Sequence, residues 1–518
     1  MRRMKASCFA GALMVVLSLS GIGGMWGFQP SLAQAAEEYE HIKIGLMRDI
    51  ASLDPFGYPS LDRPEVNVQQ CIFDHLLRRN EEGKIIGHLA TDYKWLNDKT
   101  LRLTLRKNVT FHNGEKFTAA DVKYTLEEML KGTLSPGLLG IIRGIEKIVP
   151  VDDYTVDILT TGPFPTLPAR LCVYTMMVSS KQRVNADPSI YGNNPIGTGP
   201  FKFVEWKKGD RIVLERNEKY WRGVPKVKRL TIFPIIDSST RVSALKSGTV
   251  DIATDIPPSL AKELKGVPDF EVTASPSART MFVMLRSDIP PFNDKRVRLA
   301  VNYAINRDEY IATVLEGYGL AINQPCPPYF FGHNPALKPY PYDPKKAKQL
   351  LAEAGYPKGF SVIMESMNVM EDRARPLSGY LKEIGIDCKI EVKEVKSLYA
   401  ELFEKKTRPM LFWTWGNWSV LDIDGTIFDV LGCHKPEIGQ GKWSTYCNPR
   451  IDEIINEMRT IDQDKRLRVA REANKIVHDD GAYIWLYAQY DIHVKKRGIP
   501  EFKARPDNTV WIGWVKGE

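Results

Sequence analysis

Aromatic residues crowd one short segment of the chain, and such a segment is suited to binding a small polar molecule. Residues 410–418 read Met-Leu-Phe-Trp-Thr-Trp-Gly-Asn-Trp, with three tryptophans in six residues. Ring faces that flank a few directed polar groups suit sugars, blocked peptides, opines and organic cations. We expect Trp413, Trp415, Asn417 and Trp418 to line a ligand site. Packing of each ring inside a core is the alternative reading.

Two carboxylates follow this segment, Asp422 and Asp424. A glycoside hydrolase needs two carboxyl groups about 5 to 10 Å apart across its substrate, and spacing in sequence does not establish such an arrangement. The other reading is that one of the pair binds a cationic group of a ligand. We therefore keep both aspartates as candidate ligand-binding residues and assign no catalytic residue.

Motifs of established catalytic or cofactor chemistry are absent from the sequence. There is no G-x-S-x-G elbow, no H-E-x-x-H pair and no G-x-x-x-x-G-K-[ST] phosphate loop. The eight histidines are scattered, and His434 beside Cys433 is read as a surface residue. Gly197 to Pro200 resembles a nucleotide loop, but Pro200 removes an amide donor, which favours a tight turn. We expect no enzyme activity, no cofactor and no bound metal.

Six cysteines lie beyond the amino-terminal leader described below, and none forms a C-x-x-C pair. In an oxidising compartment, Cys433 and Cys447 are close enough in sequence to form a disulfide. Closing that loop would stabilise the fold by about 3 kcal/mol on the chain-entropy estimate. Two buried free thiols are the alternative, and Cys71, Cys172, Cys326 and Cys388 are expected in the core without a predicted pairing.

Strands and helices alternate along the chain, which indicates an α/β fold. Apolar residues alternate with polar ones at 42–46 and at 101–105, as in half-buried strands. Thr118 with Asp121 three residues later predicts the start of a capped helix. Further helices are predicted at 239–246, 295–315, 344–354, 451–461 and 465–478, and strands at 201–206, 360–364 and 483–494. Because no linker separates lobes, we expect the chain to cross between them several times.

The amino terminus has the layout of a secretory signal peptide. Arg2, Arg3 and Lys5 precede an apolar run from 9 to 19, and Ala33-Gln34-Ala35 supplies small residues at a cleavage site. We expect cleavage after Ala35, export to the periplasm and a free protein; a membrane anchor is the alternative. Cleavage takes three of the 71 basic residues and none of the 63 acidic ones, so a net charge of +5 remains. The sequence has no concentrated basic stripe of the kind that predicts nucleic-acid binding.

Several ordered segments have the composition of shared motifs rather than of isolated turns. The first is Phe-His-Asn-Gly-Glu-Lys-Phe-Thr-Ala-Ala-Asp-Val at 111–122, and the second is Ile-Gly-Thr-Gly-Pro-Phe at 196–201. Weaker matches are Glu-Arg-Asn at 215–217 with Tyr-Trp at 220–221, Leu-Asp-Pro at 53–55, Ala-Ile-Asn-Arg at 304–307, and Asp343-Pro344 through Ala-Gly-Tyr at 354–356. Together, in this order across nearly the whole chain after the leader, they resemble the family-five extracellular solute-binding proteins, the peptide and nickel class of ABC importers.

The resemblance implies a two-lobed periplasmic binding protein fold of type II-like form, with a hinge and an extra domain. Lobe one would combine 36–70, 193–282 and 484–518, the extra domain would span 71–192, and lobe two would span 283–483. Ligand would bind in the cleft and favour the closed arrangement, because that state contacts it from both sides. Membrane permease subunits of an importer would then recognise the closed form of a monomer.

The resemblance also implies residue roles. In peptide-binding members, an aromatic strand leads to an aspartate that pairs with the ammonium group of the peptide, and Gly416 or Asn417 stands there in this chain. Arg373 and Arg375 fall in a segment that resembles one where relatives place a carboxylate-binding arginine. The remaining implied cleft residues are Arg279, Asp54 and Tyr58.

These features predict a binding protein whose cargo is an oligopeptide, an opine, an oligosaccharide-like compound or another small polar solute. Nickel is the alternative cargo within the family. A secreted hydrolase on the same fold and a ligand-binding sensory component are the alternatives from other classes. The missing aspartate makes an unmodified peptide the less secure cargo.

Overall fold

A computed structural model describes residues 38–57, 63–132, 136–181, 192–394, 397–398, 408–416, 420–502, 504–507, 509–510 and 512. The predicted leader and three candidate site residues, Tyr58, Asn417 and Trp418, lie outside these ranges.

The strands alternate with helices over the whole described chain. In chain order they are β1 Tyr39–Leu46, β2 Leu77–Arg79, β3 Ile85–Gly87, β4 Ala90–Asn97, β5 Thr100–Leu105, β6 Ile145–Asp152, β7 Thr155–Thr160, β8 Phe201–Lys207, β9 Arg211–Arg216, β10 Val227–Pro234, β11 Ile252–Ala253, β12 Phe270–Leu285, β13 Gly319–Ala321, β14 Phe360–Met367, β15 Ile386–Lys393, β16 Met410–Trp415 and β17 Tyr483–Lys496.

The α-helices are α1 Arg63–Gln69, α2 Ala119–Lys131, α3 Pro136–Ile142, α4 Leu167–Arg170, α5 Ser238–Ser247, α6 Pro258–Leu264, α7 Lys295–Tyr303, α8 Arg307–Val314, α9 Pro344–Glu353, α10 Glu371–Glu383, α11 Ile423–Thr426, α12 Pro449–Glu457 and α13 Gln463–Asp479. Short 3-10 turns occupy Asn368–Met370 and Pro436–Ile438, and a π-helical turn occupies Ile427–Leu431.

The local patterns predict most of these elements correctly. Strands β1 and β5 are confirmed, and α2 begins after Thr118, whose backbone N–H donates to the carboxylate of Asp121 at 2.9 Å. The single helix predicted at 295–315 is wrong. It is broken between α7 and α8, because the side chain of Asn306 caps a new helix by accepting from the backbone N–H of Glu309.

The predicted turn at Gly197 is confirmed, and close backbone approach explains its glycines. The carbonyl of Gly197 accepts from the backbone N–H of His112, and the N–H of Gly199 donates to the carbonyl of Ile72. A Cβ atom on Gly197 would lie 2.0 Å from the carbonyl oxygen of Ile72, so a side chain does not fit there. The turn therefore packs the chain against the end of α1 before β8 begins.

One large mixed sheet runs through the molecule. Its eleven strands follow the order β15-β14-β16-β12-β17-β11-β1-β10-β9-β8, with β13 added beside β17. Strands β10, β1 and β11 are mutually parallel where they pair, as are β15, β14 and β16, whereas β12 is antiparallel to both β16 and β17. A separate sheet has the order β4-β5-β7-β6, and β2 pairs with β3.

Buried side chains form separate cores at the two ends of the large sheet. One core gathers residues between Ala278 and Ala488. A second gathers residues from Ile42 to Ile232, together with Ile252 and four residues near the carboxyl terminus, and includes the four-stranded sheet. A third, smaller core packs α5 and α6 against Ile492 and Val494 of β17. The predicted domain boundaries stay a prediction.

Within the ranges the structure describes, no helix has both the length and the apolar character needed to cross a membrane.

Candidate functional site

Two long strands connect the cores, and the site is built midway along their pairing. β12 and β17 pair along most of their length, from Phe270 opposite Lys496 to Met284 opposite Tyr483. The pairing shifts register between Pro276 and Thr280, so the paired strands carry a bulge there. A β-bulge bends its strand and redirects a side chain, which suits a connection between two lobes.

Arg279 projects from this bulge beside the aromatic strand. Thr280 is paired with Trp415, and its hydroxyl donates to the Trp415 carbonyl at 3.3 Å. A Cβ atom on Gly416 would lie 3.9 Å from Cγ of Arg279, which leaves room for a side chain at that position. The predicted residues Arg279, Trp415 and Gly416 are therefore brought together at the carboxyl end of β16.

Trp413, Trp415 and Trp443 form an aromatic surface, and the sequence interpretation missed Trp443. The ring centre of Trp443 lies 6.0 Å from that of Trp415 and 5.8 Å from that of Trp413. Trp413 is buried in the core, whereas Trp415 and Trp443 are half-buried. Trp443 lies inside the loop closed by Cys433 and Cys447, which the structure joins by a disulfide. The sequence signal that could have indicated Trp443 was an aromatic residue inside the predicted disulfide loop.

The two aspartates after β16 have different environments. Asp422 is 6% exposed, and its two oxygens accept from the guanidinium of Arg466 at 2.7 and 2.6 Å. It also caps α11 through the backbone N–H of Asp424. Asp422 is thus committed to Arg466, and this placement does not support a ligand role. Asp424 is 29% exposed and lies 3.5 Å from Nη2 of Arg170, which belongs to α4.

The two predicted arginines of α10 also differ. Arg375 lies on the surface and pairs within its helix with Glu371. Arg373 is 27% exposed, and its carbonyl accepts from the buried hydroxyl of Tyr310 at 2.6 Å. Burial raises the pKa of the Tyr487 hydroxyl on β17, and the positive charge of Arg373 opposes that rise. Arg373 therefore lies against the connecting strand, whereas Arg375 does not.

The aromatic strand forms one wall of the candidate site. The other wall is the edge of the sheet where the parallel strands β1, β10 and β11 end. In open α/β sheets, ligands bind outside the carboxyl ends of parallel strands. The loop after β1 is pinned there by α1. Glu65 accepts two bonds from Arg48 at 3.0 and 2.6 Å, and Gln69 donates to the carbonyl of Asp54 at 3.1 Å. The carboxylate of Asp54 turns back to accept from the N–H of Phe56.

A buried charge cluster occupies the same edge. Arg63 at the start of α1 forms ion pairs with Asp255, just after β11, and with Asp491 on β17. His493 accepts at Nδ1 from the backbone N–H of Asp255 at 3.2 Å, and burial lowers the pKa of His493 to about 4, so the ring is neutral at pH 7. The sequence assigned Arg279 and Asp54 to the site but did not assign Arg63, Asp255, Asp491 or His493.

No group of three or more metal-ligating side chains with suitable geometry occurs among the residues described. The four remaining cysteines of the sequence are buried free thiols, and burial raises the pKa of Cys71 to about 12. They therefore belong to the cores, as the sequence predicted.

The two-lobed α/β architecture is that of the periplasmic binding proteins. Residues 84–433 match the family model of the bacterial extracellular solute-binding proteins, family 5. The chain belongs to this family, whose members serve ABC importers.

Characterised relatives span nearly the whole chain. The glutathione-binding protein GsiB of Pectobacterium atrosepticum is 28% identical over 90% of this chain and 91% of its own length. The ABC transporter-associated periplasmic binding protein DppA from Helicobacter pylori, solved with the peptide STSA, is 27% identical with a TM-score of 0.74 over 92% and 98% of the two chains. NikZ from Campylobacter jejuni, solved with Ni(L-His), is 25% identical with a TM-score of 0.74 over the same shares.

Proposed function

We propose that the protein is the periplasmic capture component of an ABC importer, which binds a peptide-like or other small polar solute between the two cores and delivers it to a membrane permease. The observation that carries this proposal is the pairing of β12 and β17. The two cores share these paired strands, and the bulge in the pairing lies where Arg279 is beside Trp415 and Gly416. A binding site at a hinge couples ligand contact to closure.

The chemistry of the walls favours an amphipathic solute. Trp415 and Trp443 offer ring faces, Arg279 and Arg373 offer guanidinium groups, and the edge after β11 offers carboxylates. A peptide, a glutathione-like compound or an opine carries each of the complementary groups. The names of the similar proteins, which bind glutathione, a peptide and a nickel–histidine complex, are consistent with this range.

A hydrolytic function is not supported by the carboxylates from which it was considered. Asp422 is bound by Arg466, and Asp424 faces Arg170 rather than a second carboxyl group. A general acid needs a second carboxylate across the substrate. The binding function therefore remains the better account.

Thermal unfolding with candidate solutes tests the proposal. A ligand that binds the native state alone stabilises it by RT ln(1 + [L]/Kd), about 2.7 kcal/mol at one hundred times Kd. We expect at least one of glutathione, di- to tetrapeptides, opines, oligosaccharides or nickel with histidine to raise Tm in a saturable way. Failure of every class would overturn the proposal. Trp415→Ala should abolish the shift, whereas Trp206→Ala, on the distant strand β8, should preserve it.

A further inference from the structure

We propose that the buried polar cluster around Asp491 and Ser275 binds the ammonium group of the captured solute. This inference rests on the proposed function and adds a site to it. It places the recognition of a positive charge on the connecting strands, near the edge of the first lobe, rather than at the end of the aromatic strand.

Asp491 is the centre of the cluster. It is 3% exposed, and among the described residues neither of its carboxylate oxygens accepts a hydrogen bond, although Arg63 forms an ion pair with it. Ser275 lies directly opposite on β12 and is 2% exposed, and within the same ranges its hydroxyl has no partner. Directly opposed residues of antiparallel strands point to the same face. A carboxylate with one ion pair and no hydrogen bond, and a hydroxyl without a partner in these ranges, therefore face one space.

Buried polar groups are nearly always hydrogen-bonded, so an unsatisfied pair calls for a missing partner. An ammonium group provides three donors and no acceptor, which matches a carboxylate and a hydroxyl oxygen. A carboxylate ligand would be repelled by Asp491. The donor and acceptor balance thus favours a cation.

The cluster has one more negatively charged group than it has positively charged groups. Asp255 and Asp491 share the single guanidinium of Arg63. Arg241 lies behind Asp255, but it donates to the backbone carbonyls of 235, 236, 254 and 255, and Asp237 offsets its charge. The neighbouring cation on the same face of β17, Lys495, pairs with Glu271 at 2.8 Å. The neutral His493 adds no charge.

The cluster lies where closure can cover it. Tyr329, from the core of the second lobe, donates its hydroxyl to the carbonyl of Ser277 at 2.6 Å, next to the bulge. Burial raises the pKa of the Tyr329 hydroxyl, and Tyr490 and Asp491 raise it further. Arg63 and Asp255 retain 16% and 12% exposure, so the cluster can be reached from the first lobe.

Calorimetric titration with paired probes tests the inference. Each of glutathione and a set of di- to tetrapeptides is compared with its own N-acetylated form, which lacks the positive charge. We expect the wild-type protein to prefer the free-amine form, and Asp491→Asn to weaken binding of that form about tenfold or more while leaving the acetylated form within about twofold. Ser275→Ala should give a smaller loss with the same selectivity.

Asp157→Asn is the matched control, because Asp157 pairs with Arg102 in the separate four-stranded sheet; it should bind as wild type. Unfolding curves of all variants check folding, and Ser275→Ala keeps every charge if Asp491→Asn does not fold. Equal effects on both probe forms, or a wild-type preference for acetylated probes, would overturn the ammonium site and leave the proposed function standing. Binding of no probe by the wild-type protein would overturn the peptide-like cargo and the ammonium site together.

Discussion

Asp422 and Asp424 illustrate how differently two neighbouring carboxylates can be used. Asp422 neutralises Arg466, whose side chain is 2% exposed and comes from α13, 44 residues away. Asp424 is partly exposed and faces a cation of another part of the fold. Sequence spacing gives no sign of this difference, because it depends on which distant arginine reaches which carboxylate.

Replacing each aspartate by asparagine should therefore have unequal effects on stability. Asp422→Asn leaves the guanidinium of Arg466 buried without a counter-charge, and we expect the free energy of unfolding to fall by about 3 to 5 kcal/mol. Asp424→Asn, its matched control, removes a partly exposed pair and should cost about 0 to 1 kcal/mol. Urea denaturation measures both. Equal losses would contradict the structural role of Asp422.

Buried histidines give the protein a defined sensitivity to acid. Burial lowers the pKa of His112 to about 4, and its ring accepts from the N–H of Gly197 at Nδ1 and donates from Nε2 to the carbonyl of Gly199 at 3.0 Å. The unfolded chain binds a proton on this histidine near pH 6.5, whereas the folded protein does so near pH 4. The stabilisation is therefore complete above about pH 6.5 and is lost as the pH falls towards 4.

His112→Gln should flatten this dependence, because glutamine does not titrate. We expect the difference in unfolding free energy between pH 7.5 and pH 5 to be smaller in the variant than in the wild-type protein, as measured by urea midpoints at the two values. His434→Gln, at an exposed position, is the control and should retain the wild-type difference. An unchanged slope for His112→Gln would show that this histidine is protonated in the folded state.

At the scale of elements, local signals predict what local forces determine. The capped start of α2 and the alternating strands depend on residues within a few positions, so they are predictable. The break before Asn306 is not predicted, because the apolar spacing of a single helix continues across it. The pairing of β12 with β17 joins residues 199 to 226 positions apart, and the cluster around Asp491 exists only through that pairing. The family resemblance supplies the fold but not these contacts.

The disulfide loop is the element that carries Trp443 to the aromatic surface. Cys433 and Cys447 close a loop with a sequence separation of 14, and the backbone N–H of Trp443 donates to the carbonyl of Asp429 at 3.0 Å. The Cys433→Ser/Cys447→Ser variant should lose about 3 kcal/mol of unfolding free energy by the chain-entropy estimate.

The same variant should also bind solute more weakly, because the loop that positions Trp443 gains freedom. Thermal unfolding and titration with the best solute from the screen measure the two effects. Cys388→Ser, which removes a buried free thiol, is the control and should preserve affinity. Full affinity in the double variant would show that the disulfide stabilises the fold without organising the aromatic surface.

At the scale of the molecule, contacts away from the shared strands also join parts of the chain that are distant in sequence. Arg79 on β2 donates to the carbonyl of Val420, and the guanidinium of Arg143 lies 5.5 Å from the ring centre of Phe428. The pair of Arg170 and Asp424 adds a charge contact. All three join the 71–192 region to the segment after β16. Because opening of the two lobes would separate these groups, we expect the contacts to favour the closed arrangement without any solute, and their energy to add to that of the ligand.

Weakening one contact should therefore open the unliganded protein and lower its apparent affinity. Apparent Kd rises as the binding-competent fraction falls. Because the Arg170–Asp424 pair is partly exposed and worth about 0 to 1 kcal/mol, Asp424→Asn should raise Kd by at most about fivefold. Small-angle scattering should show a larger radius of gyration without solute and an unchanged one at saturation. Asp157→Asn, which breaks an ion pair inside a single sheet, should alter neither quantity, and an identical unliganded radius for Asp424→Asn would exclude a role for this pair in closure.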